Sequence, residues 1–323
     1  MSLTIEALDP TDLGVFAEFY DVYRRSNERD IDQPWSFDEL QVASLGDEYV
    51  RHDSLIAREG ETVVGVTLAE YPERDNVESV FAEVWVPPEL RRRGIGTQLL
   101  ERLEQRAQED GRSTVLTETL RPYEAETTAA REFVLARGYA LDTTNVQREL
   151  ALPWTQQEVV PRDGYTLQAW RGLPPVGWLD QYARLRALLN QEAPSGQTQL
   201  ENEYWDADRL RLEVDQWRRQ RRTAQVVVAV APDGTLAGHT QLLFPHDSVE
   251  VYQWDTLVLP EHRGHGLGLA LKQQAMLEAA ELLAGRRRIV TWNDAQNEHM
   301  IAVNEILGFR PTAWADQWVK HLG

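Results

Sequence analysis

The 323-residue chain contains no cysteine, which excludes disulfides, thiolate zinc sites and a cysteine nucleophile. It also lacks any run of about 18 apolar residues, the length of a membrane-crossing helix, so no membrane partner is expected. The opening MSLTIEALDP has neither the basic nor the apolar region of a signal peptide, and a cytoplasmic location is the simplest expectation. Basic residues are outnumbered: 33 Lys and Arg stand against 52 Asp and Glu, a formal charge of -19 with a pI near 4.8. Such a field repels polyanions at long range, which argues against nucleic acid as a partner and leaves any anionic ligand to be captured locally. It either attracts a cationic amine or merely keeps the protein soluble.

What is present points to packed cores. Hydrophobic residues make up 42% of the chain, charged residues 26%, and eleven tryptophans are included, a composition unlike that of a disordered chain. The length exceeds what one hydrophobic core usually supports, so two domains are expected.

The two halves carry the same elements in the same order. A short alternating strand and an amphipathic helix open each half, Leu3 to Ala7 with Phe16 to Arg24, and Tyr165 to Ala169 with Trp178 to Leu189. A hairpin follows around Glu59-Gly60 or Asp233-Gly234, in which Gly65 answers to Gly238. A third strand, Val80 to Val86 or Val249 to Val258, runs into a proline, a basic glycine-rich turn and a helix, with Arg91 answering to Arg263. A last helix ends at Gly138-Tyr139 or Gly308-Phe309. The nearly constant separation predicts domains at 1–152 and 164–323 joined by a linker at 153–163. Three strands precede the glycine turn without intervening helices, so each half reads as an α/β, α+β-type mixed sheet flanked by helices and not a doubly wound one.

The turns are Val86-Pro87-Pro88-Glu89-Leu90-Arg91-Arg92-Arg93-Gly94-Ile95-Gly96 and Val258-Leu259-Pro260-Glu261-His262-Arg263-Gly264-His265-Gly266-Leu267-Gly268. Glycines between a strand and a helix let backbone approach a ligand closely, and the free N–H groups and dipole of the helix start favour an anion such as a pyrophosphate. Neither turn has the lysine and hydroxyl of a P-loop or the spacing of a dinucleotide fingerprint. A tight solvated turn is the plain alternative, but it recurs after a strand and proline in both halves.

On these residues the chain resembles the GNAT superfamily of acyl-CoA N-acyltransferases, whose signature is Arg or Gln, two residues, Gly, one residue, Gly or Ala. Arg91, Gly94 and Gly96 match it in the first half, and Arg263, Gly266 and Gly268 in the second. The resemblance implies two tandem GNAT domains and acetyl-CoA as cosubstrate. Its pyrophosphate would lie on Arg91, Arg93, Gly94 and Gly96, or on Arg263, Gly264, His265, Gly266, Leu267 and Gly268. Its thioester would lie along the strands ending at Val86 or at Leu257 and Val258, where backbone N–H groups could polarise the carbonyl. Asn297 sits where family members contact the coenzyme A arm; it reads equally as a helix N-cap. Asn304 stands where many members place a tyrosine that protonates the thiolate, and an amide is no such acid. The matching first-half positions hold Thr127 and Val134, a further departure, so the second half is favoured as catalytic.

A base would help a protonated amine attack the thioester. Asp255, three residues before Val258 in an apolar strand, is the leading candidate, Glu83 holds the matching first-half place, and Glu250 is a second possibility. Asp255 reads equally as a hydrogen-bonding anchor of a neighbouring loop. His262 and His265 lack a third ligand at metal spacing, so no metal is expected, and no Gly-x-Ser-x-Gly elbow supports a serine hydrolase. The expected activity is acetyl transfer to a primary amine of a small molecule by direct attack in a monomer or weak homodimer. The alternatives are a catalytically silent coenzyme A-binding regulator or scaffold, and an aminoglycoside-type N-acetyltransferase.

Overall fold

The computed structural model describes residues 3–155, 163–189, 198 and 200–323. Most of the 153–163 linker lies outside them. The described residues pack into two compact units, one of 3–144, 198 and 314–323, the other of 145–155, 163–189 and 200–313.

Unit 1 contains β1 (Leu3–Ala7), α1 (Leu13–Ser26), α2 (Phe37–Ser44), β2 (Val50–His52), β3 (Leu55–Glu59), β4 (Thr62–Pro72), β5 (Ser79–Trp85), α3 (Ile95–Glu109), β6 (Thr114–Pro122) and α4 (Ala129–Ala136). Its strands run in the order β1-β3-β4-β5-β6, with β2 beside β4, and the C-terminal part of β13 (Arg310–His321) lies next to β6. Trp318 of β13 is fully buried in the core formed by α3, β4 and β5, and its indole donates to Thr119 Oγ1 at 2.8 Å.

Unit 2 opens with the second part of β7 (Ala140–Ala151) and continues through β8 (Thr166–Arg171), α5 (Leu179–Ala187), α6 (Ala207–Arg219), β9 (Arg222–Val230), β10 (Leu236–Pro245), β11 (Glu250–Val258), α7 (Leu267–Glu278), α8 (Ala280–Leu283), β12 (Arg288–Asp294) and α9 (Glu298–Leu307). Its strand order is β7-β12-β11-β10-β9-β8. Helices cover both faces of this sheet, so β9 and β10 are buried on both sides: Val227 and Ala229 join the α7–α9 core, while Val226 and Val228 join the α5–α6 core.

Both units are mixed: β5 pairs parallel with β6 and β11 parallel with β12, whereas β1 with β3, β3 with β4, β2 with β4, β4 with β5, β8 with β9, β9 with β10, β10 with β11 and β7 with β12 are antiparallel. The repeat halves 1–152 and 164–323 differ from these packed units by one strand each. Asn145–Ala151 pairs antiparallel with β12 of unit 2, and Trp314–Gly323 belongs to unit 1. β7 and β13 occupy the same place in the repeat.

Candidate active site

In unit 2 the parallel ladder between β11 and β12 has three pairs, Glu250 with Arg288, Val251 with Ile289 and Tyr252 with Val290. Both strands continue beyond it, β11 to Val258 and β12 to Asp294, but they diverge. The Thr291 hydroxyl, donating to the Gln253 carbonyl at 3.2 Å, marks the fork. On the other edge of β11, Thr240 pairs with Thr256 and Leu242 with Gln253, so three steps on β11 oppose two on β10. The extra residue makes a bulge at Trp254-Asp255, which bends the strand and frees backbone from the ladder. β10 and β11 meet tightly beyond the bulge, where a Cβ on Gly238 would lie 2.5 Å from the Leu257 carbonyl oxygen. The two predicted thioester residues, Leu257 and Val258, thus end a bent strand whose β12 side is open.

The turn after Val258 uses its glycines for backbone conformation. Gly264 and Gly266 have φ of 85° and 72°, the left-handed region that disfavours side chains, and a Cβ on either meets nothing within 4 Å. Gly266 caps α7 without any side-chain hydrogen bond, leaving the first amides, from Leu267 and Gly268 onward, available to an anion. Arg263 turns back: its Nε donates to the Val258 carbonyl at 3.2 Å and braces the turn. His265 contacts Asp163 at 2.6 Å and His262 contacts the Tyr165 hydroxyl at 2.9 Å. The two imidazoles thus have separate partners, and among the described residues no group of three or more His, Cys, Asp or Glu side chains could hold a metal.

Asp255 sits in the bulge against the α5–α6 layer. Arg186 of α5 lies 3.2 Å from its Oδ2 and makes a two-pronged pair with Glu213 of α6 at 2.9 and 3.0 Å. Burial pushes the Asp255 carboxyl up to about 6, with Arg186 pulling it down and Glu213 and Glu203 adding to the rise. Burial opposes the charge of Arg186, yet Glu213 and Asp255 keep it protonated. Around this triad Gln241 donates to the Tyr182 hydroxyl at 2.8 Å, and Tyr182 lies 3.3 Å from His239 Nδ1. Burial, reinforced by Arg186, holds His239 well below its ordinary pKa and therefore neutral. Among the described residues, His239 Nε2, Gln241 Oε1, Arg186 Nε and Trp170 Nε1 are buried without a hydrogen-bond partner, and Asp255 Oδ2 has only the ion pair with Arg186. Trp170 packs edge-on to Tyr182, and Arg186 lies 4.1 Å over the Trp205 ring. Orphaned donors and acceptors among aromatic rings form a polar patch suited to an organic ligand.

Of the other predicted bases, Glu250 is clasped by Arg287 at 2.8 Å and by Arg288, at the closed end of β11. That clasp ties strand ends together and does not fit a proton acceptor. Asn297 caps α9 by accepting from Met300 N at 3.0 Å. Asn304 is fully buried between Lys272 and Asn293.

Unit 1 repeats the scaffold with different chemistry. β5 and β6 also part after three pairs, but β4 and β5 stay in unbroken register from Val66–Trp85 to Glu70–Phe81, so β5 has no bulge. The turn places Arg92 at φ 64° where unit 2 has Gly264; Gly94 caps α3 at φ 83°, again without a side-chain bond. Arg91 braces the Val86 carbonyl at 2.8 Å, and Arg93 is held by both oxygens of Glu59 at 2.8 and 2.7 Å. Gly96 opens α3 beside Val86 and Phe133. Glu83 is pushed up to about 8 by burial and by Glu118 and Glu70, so it holds a proton at neutral pH.

Arg186, Glu213, Tyr182, His239, Gln241 and Lys272 were not singled out by sequence reasoning. His239 and Gln241 had a signal, being polar residues inside the apolar run Leu236 to Phe244. Arg186 and Glu213 had none, since each lies on a helix rich in solvated charges.

Residues 16–138 and 183–309 each match the acetyltransferase (GNAT) family. No curated protein matches the chain in sequence. Among solved structures, a tandem GNAT protein from the clavulanic acid biosynthesis pathway superposes with a TM-score of 0.85 at 23% identity, over 100% of this chain and 99% of that one. A GCN5-related N-acetyltransferase from Sphaerobacter thermophilus gives 0.70 at 17%, over 99% and 95%. A putative acetyltransferase from Pyrococcus horikoshii gives 0.59 at 12%, over 99% and 90%. At these identities the likenesses establish the tandem fold.

Proposed function

The chain belongs to the acetyltransferase (GNAT) family, and from that premise we propose that it transfers an acetyl group from acetyl-CoA to a primary amine of a small molecule, with unit 2 as the catalytic unit. One observation carries this reading. β11 offers, within a few residues, an open bulged edge, a buried carboxylate and an uncapped helix start, whereas β5 in unit 1 lacks the bulge and presents a protonated carboxyl.

In this reading the pyrophosphate binds the amides that open α7, and the pantetheine arm lies along the free edge of β11. Backbone N–H groups near Leu257 and Val258 draw charge from the thioester carbonyl. Asp255, ionised above about pH 6, takes a proton from the ammonium directly or through one water. The freed amine forms the C–N bond, the C–S bond breaks with its electron pair on sulphur, and the nitrogen sheds its second proton to solvent. The acceptor occupies the layer between β10, β11, α5 and α6, where the triad of Asp255, Glu213 and Arg186 carries one net negative charge that suits an ammonium. The protein is expected to act in the cytoplasm as a monomer or weak homodimer.

Asn304 favours a second reading, a coenzyme A-binding regulator without turnover. Release of coenzyme A from acetyl-CoA, followed with a thiol reagent across a panel of small primary amines, separates the two. Turnover with at least one amine, lost about 100-fold or more in Asp255→Asn while acetyl-CoA affinity is kept, supports the enzyme. Tight acetyl-CoA binding with no turnover of any amine supports the regulator.

A further inference from the structure

Lys272 is one of only two lysines in a chain that otherwise uses arginine. Lys320, the other, is part-exposed and paired with Glu104. Lys272 lies in α7 with 1% of its surface accessible, and its one hydrogen bond among the described residues goes to Asn304 Oδ1 at 2.8 Å. Beyond that bond its ammonium lies 5.7 Å over the Phe309 ring, and among the described residues no carboxylate lies within ion-pair distance of it, an expensive way to bury an ammonium. Packing does not demand it. By repeat register the corresponding residues of unit 1 are Leu100 for Lys272 and Val134 for Asn304, both buried.

The hydrogen bonds form a one-way relay. An ammonium only donates, so Asn304 must turn its Oδ1 toward Lys272 and its Nδ2 away. Asn304 Nδ2 donates to Asn293 Oδ1, which turns the Asn293 Nδ2 outward in the same way. Asn293 lies on β12 three residues past the last β11 pair, is partly exposed, and its Nδ2 bonds no described residue. A chain of amides polarised from a cation delivers a strengthened N–H at the diverging strands.

We propose that this relay holds the departing sulphur: Asn293 Nδ2–H hydrogen-bonds the thiolate leaving from acetyl-CoA, with Asn304 and Lys272 as positioning residues behind it. The inference rests on the acyl-CoA reading above. The sulphur keeps the electron pair of the broken C–S bond, is stabilised as an anion, and takes its proton from water on release. A family position that usually carries a hydroxyl acid thus works here through electrostatics without proton donation.

The test compares coenzyme A with desulfo-coenzyme A, which carries hydrogen in place of the thiol, by titration calorimetry at a series of pH values from 6 to 9. A hydrogen bond to a charged group is worth about tenfold. The wild type is expected to lower the pKa of the bound thiol, read as thiolate ultraviolet absorbance appearing at lower pH in the complex than in free coenzyme A, and to prefer coenzyme A by up to about that factor as the pH rises. Lys272→Met and Asn293→Val are expected to lose both signals and keep desulfo-coenzyme A affinity. Should Lys272→Met misfold, Asn293→Val carries the comparison, because its side chain is not the buried one. Equal affinities in the wild type, or a preference that survives both substitutions, overturn the relay while leaving the acyl-CoA reading intact. Failure of the wild type to bind either ligand overturns both.

Discussion

Replacing Lys272 with methionine, a side chain of similar length without charge, should stabilise the protein at neutral and lower pH. The ammonium is 1% exposed, has one neutral hydrogen-bond partner, and burial pushes its pKa from 10.5 down to about 7. In the unfolded chain it stays protonated up to about 10.4. Between about 7 and 10.4 the unfolded state therefore binds a proton that the native state does not, so the free energy of unfolding rises with pH by about 1.4 kcal/mol per unit. From pH 7 to pH 9 the wild type should gain roughly 2–3 kcal/mol relative to Lys272→Met. Below about pH 7 the gap between them should be constant, with the variant the more stable. Denaturant unfolding of both proteins at pH 6, 7, 8 and 9 reads the difference directly, and the comparison cancels every other titrating group. A gap that does not change with pH, or a variant less stable at pH 6, refutes the description of Lys272 as a buried, ill-compensated ammonium.

The remaining predictions concern neighbouring charges. Turnover should rise as pH passes about 6 and then level off, because Asp255 must be ionised to accept a proton; Asp255→Asn should remove that limb along with most of the rate, read as kcat/KM against pH. Arg186→Leu leaves Glu213 and Asp255 facing each other in the core and should cost about 3–5 kcal/mol in denaturant unfolding. Any residual activity should have its acid limb moved to higher pH, since Arg186 lowers the Asp255 pKa. In unit 1, Glu83, Glu70 and Glu118 hold protons natively up to about 8, 7 and 7 but release them near 4.3 when unfolded, so stability should fall as pH rises from about 4.5 to 8. Glu83→Gln should flatten that fall, and an unchanged melting profile would count against the raised pKa.

The glycine turns, hairpins and helix ends were legible because each rests on local chemistry. Gly308 at φ 96° and Asn297 accepting from Met300 N follow from residue types at fixed offsets. The strand assignment was not legible, since β7 and β13 stand in equivalent places of a duplicated sequence, and only packing decides that Trp318 fills the unit 1 core. Asp255 stood out in the sequence because a carboxylate in an apolar strand is costly. Its partners Arg186 and Glu213 were missed because α5 and α6 are rich in charges and nothing local marks the two that turn inward. The bulge that exposes β11 was equally hidden: it arises from register against β10, and Trp254-Asp255 carries no glycine to announce it.

The claim on which the rest depends is that acetyl-CoA binds at the turn that opens α7 in unit 2. Calorimetric titration of acetyl-CoA into the wild type, Gly94→Glu and Gly266→Glu tests it, each substitution placing bulk and negative charge at one turn. Binding by the wild type and Gly94→Glu, with loss in Gly266→Glu alone, is the predicted result. Loss in Gly94→Glu with binding kept in Gly266→Glu would contradict the account by moving the ligand to unit 1, and a wild type that binds no acetyl-CoA would contradict it outright.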